Sequence, residues 1–260
     1  MACFYNQKKH CTEKMTREHL VSASVLKVAF GDPIRNIARA DMFGSKYLVD
    51  HEAVIKDVCD RCNNVSLSSY DVAGQKLAKY LEYNKNIIPL RIPFNLEVLG
   101  WILKTHFNYT RVIKDQETNE AYPIEQSIKN SLIKNRLISS DQIALYVQQW
   151  EEGDQFWDAE NPENLHYLQY RSIRLRNQEM VMSNFRIRQL DTMIFFPFNG
   201  NYKNFNKRVK SSFEQLKSEF NANFQEIDIE GAIESGKIDI TSIFSIDEIM
   251  AIRYKIEDEG

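Results

Sequence analysis

The chain has 260 residues, 43% hydrophobic and 27% charged, with a formal net charge of −3 at pH 7. Such a chain can bury a core without disulfides, and its balance excludes a uniformly basic nucleic-acid coat. No run of 18 apolar residues is present and the start, MACFYNQKKH, lacks an apolar signal stretch, so neither a membrane span nor secretion is expected and a cytoplasmic location is.

The first block, residues 1–64, holds all four cysteines. VSLSSYDVAGQKLAKYLEY (65–83) has apolar residues at 73, 77, 80 and 81, a helical period. Tyr70 and Asp71 suit packing and capping of that helix. Pro89 and Pro93 in NKNIIPLRIPF then stop it. The spacing places a boundary near residue 90, giving an N-terminal domain over 1–90 and an accessory domain over 91–260.

FNLEVLGWILKTHF (94–107) reads as a buried amphipathic helix, and NYTRVIKDQETNEAYP after it as a turn or short hairpin. PIEQSIKNSLIKNRL (123–137) and SDQIALYVQQWEE (140–152) read as further helices, the second capped by Ser140 or Asp141. RSIRLRN, EMVMSNFRIRQL and TMIFFPF (171–198) are rich in β-formers and read as a strand meander. A basic helix is expected over 200–220. The acidic tail ends in SIDEIMAIRYKIED, with Ser245 and Glu248 at capping-box spacing. The whole reads as α+β.

Cys59-Asp-Arg-Cys62 is a CxxC, a spacing that lets two thiolates grip one tetrahedral zinc. Cys3 and Cys11 supply the other pair, with His10 the alternative to Cys11 as fourth ligand. A redox CxxC and plain unligated thiols are the competing readings; the first usually sits at a strand–helix junction of a βαβ unit, and none is evident. A structural zinc would pin residues 3–11 to 59–62 and contribute folding energy to this block. Between the pairs lies Glu18-His19, and Asn63 follows Cys62. A carboxylate and an amide oxygen suit a hard Mg²⁺ or Mn²⁺ ion, and an imidazole titrating near neutrality suits a general base. On a regular strand Glu18 and His19 would face opposite ways. They can share one site only where the strand ends or twists, and Ser22-Ala23-Ser24 is compatible with a loop there.

MTREHL followed by VCDRCNN, with an upstream cysteine pair, resembles the zinc-containing branch of the HNH (His-Me finger) endonucleases over roughly residues 1–75. The resemblance implies a ββα-metal nuclease fold, two antiparallel strands and a helix, with a structural zinc. It implies His19 as general base, Glu18 and Asn63 as ligands of the catalytic Mg²⁺ or Mn²⁺, and hydrolysis of phosphodiester bonds in DNA, with RNA the other nucleic acid to consider. An antiviral-defence effector working with a regulatory protein partner is one setting it suggests. The first cysteine pair is spaced more widely than CxxC. The insertion 27–50 is longer than a minimal hairpin, and AVIKDV lacks the family's middle Asn, whose place His51 or Glu52 would take. The alternative function is a zinc-finger-like module that binds nucleic acid or protein without catalysis.

Net charge alternates along the chain, +3 over 1–90, −5 over 91–164, +7 over 165–217 and −8 over 218–260. Arg174, Arg176, Arg186 and Arg188 alternate with Ile173, Leu175, Phe185 and Ile187. On paired strands this would set the guanidiniums on one face, with Lys203, Lys207, Arg208 and Lys210 beside it, to hold phosphates. A solvated, edge-protecting face is the plainer reading of the same residues.

Overall fold

A computed structural model of the protein describes residues 2–6, 11–31, 37–40, 46–49, 54–112, 119, 121–150, 166–220 and 223–244. The N-terminal elements are β1 (Met15–His19), α1 (Ala23–Phe30), β2 (Ile37–Ala40), β3 (Lys46–Val49), β4 (Val54–Cys59), one π-helical turn (Cys62–Ser66) and α2 (Ser68–Tyr83). Then come β5 (Arg91–Pro93), α3 (Leu96–Val112), α4 (Gln126–Ile133) and β6 (Ala144–Trp150). The meander β7 (His166–Leu175), β8 (Met180–Ile187) and β9 (Leu190–Pro197) follows, then α5 (Phe205–Phe220), β10 (Gln225–Ile227), α6 (Ile229–Ser235), β11 (Lys237–Asp239) and β12 (Ile243–Phe244). The class is α+β.

An eight-stranded sheet carries the order β10-β6-β9-β8-β7-β2-β3, with β12 beside β6. Both faces of β6, β8 and β9 are covered. Leu145, Val147, Val181, Phe185, Ile194 and Phe196 join the core that includes α3. Tyr146, Met180, Met182, Met193 and Phe195 pack against Phe205, Val209 and Leu216 of α5. Within the expected helix 140–152, residues Ala144–Trp150 are therefore strand β6. A strand buried on both faces loses the polar alternation that marks a half-buried one, so its short apolar run looks helical. Gln149, inside that run, serves the fold by accepting from Leu90 N at 2.7 Å and donating to Ile87 O at 2.6 Å.

Helix α3 is the axis of the molecule. Asn95 caps it, accepting from Val98 N at 2.9 Å, and every residue from Val98 to Thr110 is buried. It runs past the expected end at 107, because Asn108 and Tyr109 pack inward instead of starting a turn. Helices α2 and α3 meet at two reciprocal glycine contacts. A Cβ on Gly74 would overlap the Trp101 indole, and a Cβ on Gly100 would overlap the Tyr70 ring. Each glycine thus admits the other helix's aromatic side chain.

One core runs from Cys3 to Ile240, across the expected boundary at residue 90. Strand β2, from the insertion 27–50, pairs in parallel with β7 at Ile37 and His166, and β5 pairs with β11. The change of texture near 90 is therefore no gap in packing. The expected tail helix from Ser245 lies outside the described residues.

Inside this core His106 joins α3 to the sheet. Its Nδ1 lies 2.9 Å from Ser183 Oγ and its Nε2 3.1 Å from Thr192 Oγ1. Thr192 donates its hydroxyl to Phe185 O, so it must accept from Nε2–H; Ser183 then donates to Nδ1 and accepts from Ser172. Burial pulls His106 down to about 3, so it stays neutral where an unfolded histidine, near 6.5, gains a proton. The unfolded chain therefore binds the extra proton between those values, and this histidine's contribution to stability falls as pH drops through that window. The loss is on the order of 5 kcal/mol. In His106→Gln, urea melts at a series of pH values should show a shallower decline between pH 6.5 and 3 than in the parent.

Candidate metal centre and the end of strand β1

Strands β1 and β4 form an antiparallel pair, Met15 opposite Cys59 and His19 opposite Val54, with a register shift between Thr16 and Glu18. Beyond β4 the chain turns through Cys59–Cys62 into the π-helical turn and α2. The segment carrying Cys3 lies against β4, with Phe4 N donating to Asp57 O at 2.7 Å. The body of the protein grips it too. Gln126 donates to Tyr5 O at 2.7 Å, Lys129 to Phe4 O at 3.2 Å, and the Arg111 guanidinium sits 4.2 Å from the Phe4 ring centre.

These contacts gather the four sulfurs of Cys3, Cys11, Cys59 and Cys62 within 4.8 Å of one another. Cys11 and Cys62 Sγ are 3.7 Å apart. A tetrahedral ion bonded to sulfur at about 2.3 Å needs edges of about 3.8 Å, so the four cysteines together could hold one metal ion. The Cys62 thiol hydrogen-bonds to Cys3 and pulls it down to about 4, with backbone N–H groups of Cys59 and Tyr5 assisting; the same contact pushes Cys62 up. Cys11 belongs to the cluster, and His10, its alternative, lies outside the described residues.

Asn63 begins the turn after Cys62 and reaches back to β1. Its amide nitrogen donates to Thr16 Oγ1 and Arg17 O, each at 3.1 Å. An amide that donates through its nitrogen keeps its oxygen as an acceptor. His19 is half-buried at the last position of β1, whereas Glu18 points inward and is 2% exposed. The register shift between Thr16 and Glu18 interrupts the regular pairing just before these two residues, which still differ in burial. The expected loop after His19 is short, because helix α1 already starts at Ala23. His51 and Glu52 lie outside the described residues.

Sequence reasoning missed what Glu18 meets. Its Oε1 lies 2.9 Å from the ammonium of Lys104 on α3, itself 3% exposed, and Lys104 also contacts both oxygens of Asp71 at 2.8 and 2.9 Å. Glu18 Oε2 is buried with no hydrogen-bond partner. Asn108, one turn on from Lys104, donates to His19 O at 2.9 Å and lies within 3.4 Å of Glu18 Oε1. A lysine and an asparagine inside the apolar run GWILKTHFNY were the signal for this interior contact.

The four arginines do not share a face. Register sets Arg174 opposite Val181 and Arg186 opposite Gln169, so one guanidinium leaves the sheet toward α3 and the other toward α5. Arg174 lies 3.7 Å from the Phe198 ring centre. Arg186 is 4% exposed, 3.9 Å from the Trp150 ring centre and opposite Asp191 on β9. Arg188, in the β8–β9 turn, pairs with Glu82, and Arg176 sits in the β7–β8 turn at the other end of β8. The one-face expectation fails because strands buried on both sides turn alternate residues into different layers, and the two remaining arginines lie outside the strands.

No protein-family model, curated protein or solved structure matches the chain. Among the described residues no helix is long and apolar enough to cross a membrane. Elemental analysis of freshly purified protein should find one metal ion per chain. Cys59→Ser should lose it and expose residues 2–31 to protease, because metal free energy is folding free energy in such a block.

Proposed function

We propose that the chain is a metal-dependent endonuclease of the HNH type, with zinc in the four-cysteine cluster and His19 as general base on DNA. The observation that carries this reading is the hydrogen bond from Asn63 to Arg17 O. It brings the residue after the cysteine knuckle beside the strand end that bears Glu18 and His19. Glu18 Oε2, buried without a partner, and the Asn63 oxygen are the atoms that would hold a divalent ion. When bound, such an ion neutralises charge on the scissile phosphate and the departing oxygen. His19 takes a proton from the attacking water, a P–O bond forms as the opposite P–O bond breaks, and the leaving oxygen collects a proton from solvent. Lys104 holds the Glu18 carboxylate in place.

One observation favours a second reading, a zinc-built binding module without catalysis. Glu18 already has a buried cationic partner in Lys104, as a purely structural carboxylate would. Plasmid cleavage with Mg²⁺ or Mn²⁺ separates the two. His19→Ala should remain folded and metal-loaded and cut about two to four orders of magnitude more slowly. Asn63→Ala should need more Mg²⁺ for half-maximal cutting. Equal rates for His19→Ala and parent would remove His19 from the chemistry, and a parent that cuts neither DNA nor RNA would favour the binding module.

A further inference from the structure

A cleft of about 570 Å³ opens between the β7–β8 turn and the start of α5. Among the described residues Arg176, Lys203, Lys207 and Arg208 line it, with Glu179 the one acid. We infer that this cleft holds the phosphodiester backbone of nucleic acid. The choice of nucleic acid over another polyanion rests on the hydrolase reading above; the cleft's chemistry stands without it.

The cleft is built by the chain's own staples. Arg208 donates Nη1 to Gln178 O at 2.5 Å and Nη2 to Asn201 O, tying the turn to the segment that enters α5. Glu179, in the left-handed region at φ 47°, bonds through its carboxylate to Asn201 across the same gap. The acid is thereby engaged in the rim. Lys203 and Lys207 are exposed, and neither forms an ion pair among the described residues. Lys207 and Ser211 are one helical turn apart on α5 and line the same wall. Lys203 and Lys207 are like charges on one wall, they repel one another, and a polyanion relieves that repulsion.

The lining also says which part of the ligand is held. Among the described residues no aromatic or aliphatic side chain contributes to it. Base stacking needs rings, and membrane-surface binding pairs basic charge with inserted apolar groups. Cations with amide and hydroxyl groups match phosphate and sugar, contacts that position a duplex without reading its sequence. The cleft's rim is also tied to the cysteine segment. Gly200, beside Asn201, packs so closely on Glu125 that a Cβ there would meet its carboxylate at 2.6 Å, while the next residue, Gln126, holds Tyr5 O. Rim and segment rest on the same helix start.

The test is fluorescence-anisotropy binding of a labelled DNA duplex to the metal-loaded full chain without added Mg²⁺ or Mn²⁺, across a salt series, so that no cleavage is involved. Lys203→Ala/Lys207→Ala should weaken binding and lower the log K against log salt slope by about 1.8, two contacts at about 0.9 each. Lys85→Ala/Lys134→Ala, which removes two exposed charges elsewhere, should change the slope less. An unchanged slope in the cleft variant, an equal drop in the control, or no duplex binding by the parent would overturn the assignment. So would inorganic tripolyphosphate displacing the duplex as well as unlabelled duplex does at equal phosphate, since the cleft would then be a small-anion site. The hydrolase reading fails on a different result, equal cutting by His19→Ala and parent.

Discussion

The ammonium of Lys104 is buried in the middle of α3, and a buried charge must be paired or the helix cannot stay where it is. Its partners are Glu18 at the end of β1 and Asp71 on α2. Removing one partner from such a group costs about 3–5 kcal/mol, because the charge left behind has no water. This one cation therefore holds three elements in register: the strand that carries His19, the helix that follows the cysteine knuckle, and the central helix of the body. Arg111, two turns further along α3, repeats the device with Asp57 on β4 at 2.8 Å. The N-terminal block is joined to the rest by ion pairs within a continuous core.

That attachment shapes the candidate site. The thiol cluster fixes where β4 ends and where Asn63 begins, and Asn63 braces the backbone just before Glu18. Asn108 then holds the carbonyl of His19 from the other side. The half-buried imidazole sits at the boundary of this framework, and the carboxylate lies inside it. A general base needs access to water, and a residue that orients charge gains from exclusion of water. The two neighbours in sequence thus occupy environments that suit two different roles.

The helices α2, α3, α4 and α5 and the meander β7–β9 were legible because their periods or β-rich composition survive burial. So was the cysteine cluster, since CxxC spacing has few other uses. Strand β6 was illegible for the reason that makes it central: covered on both faces, it shows no alternation. Lys104 was hidden differently. A single lysine in a helix reads as a solvated position, and only the carboxylates opposite it, far away in sequence, show otherwise. The four arginines misled because alternation in a sequence says that residues share a face within one strand, while the pairing register decides which faces of two strands coincide. The phosphate-holding charges proposed at the cleft, Lys203 and Lys207, stood in the basic stretch that seemed only an addition to those arginines.

The central claim is that the end of β1, Glu18 with Asn63, binds a divalent ion separate from the one among the cysteines. Titration of metal-loaded protein with Mn²⁺, following the electron paramagnetic resonance of the free ion, tests it directly. The account predicts one saturable Mn²⁺ site per chain beyond the cysteine-held metal, displaced by Mg²⁺ and weakened in Asn63→Ala while the cysteine-held metal stays in place. A folded, metal-loaded protein with no saturable Mn²⁺ site, or one whose site is indifferent to Asn63→Ala, would contradict it.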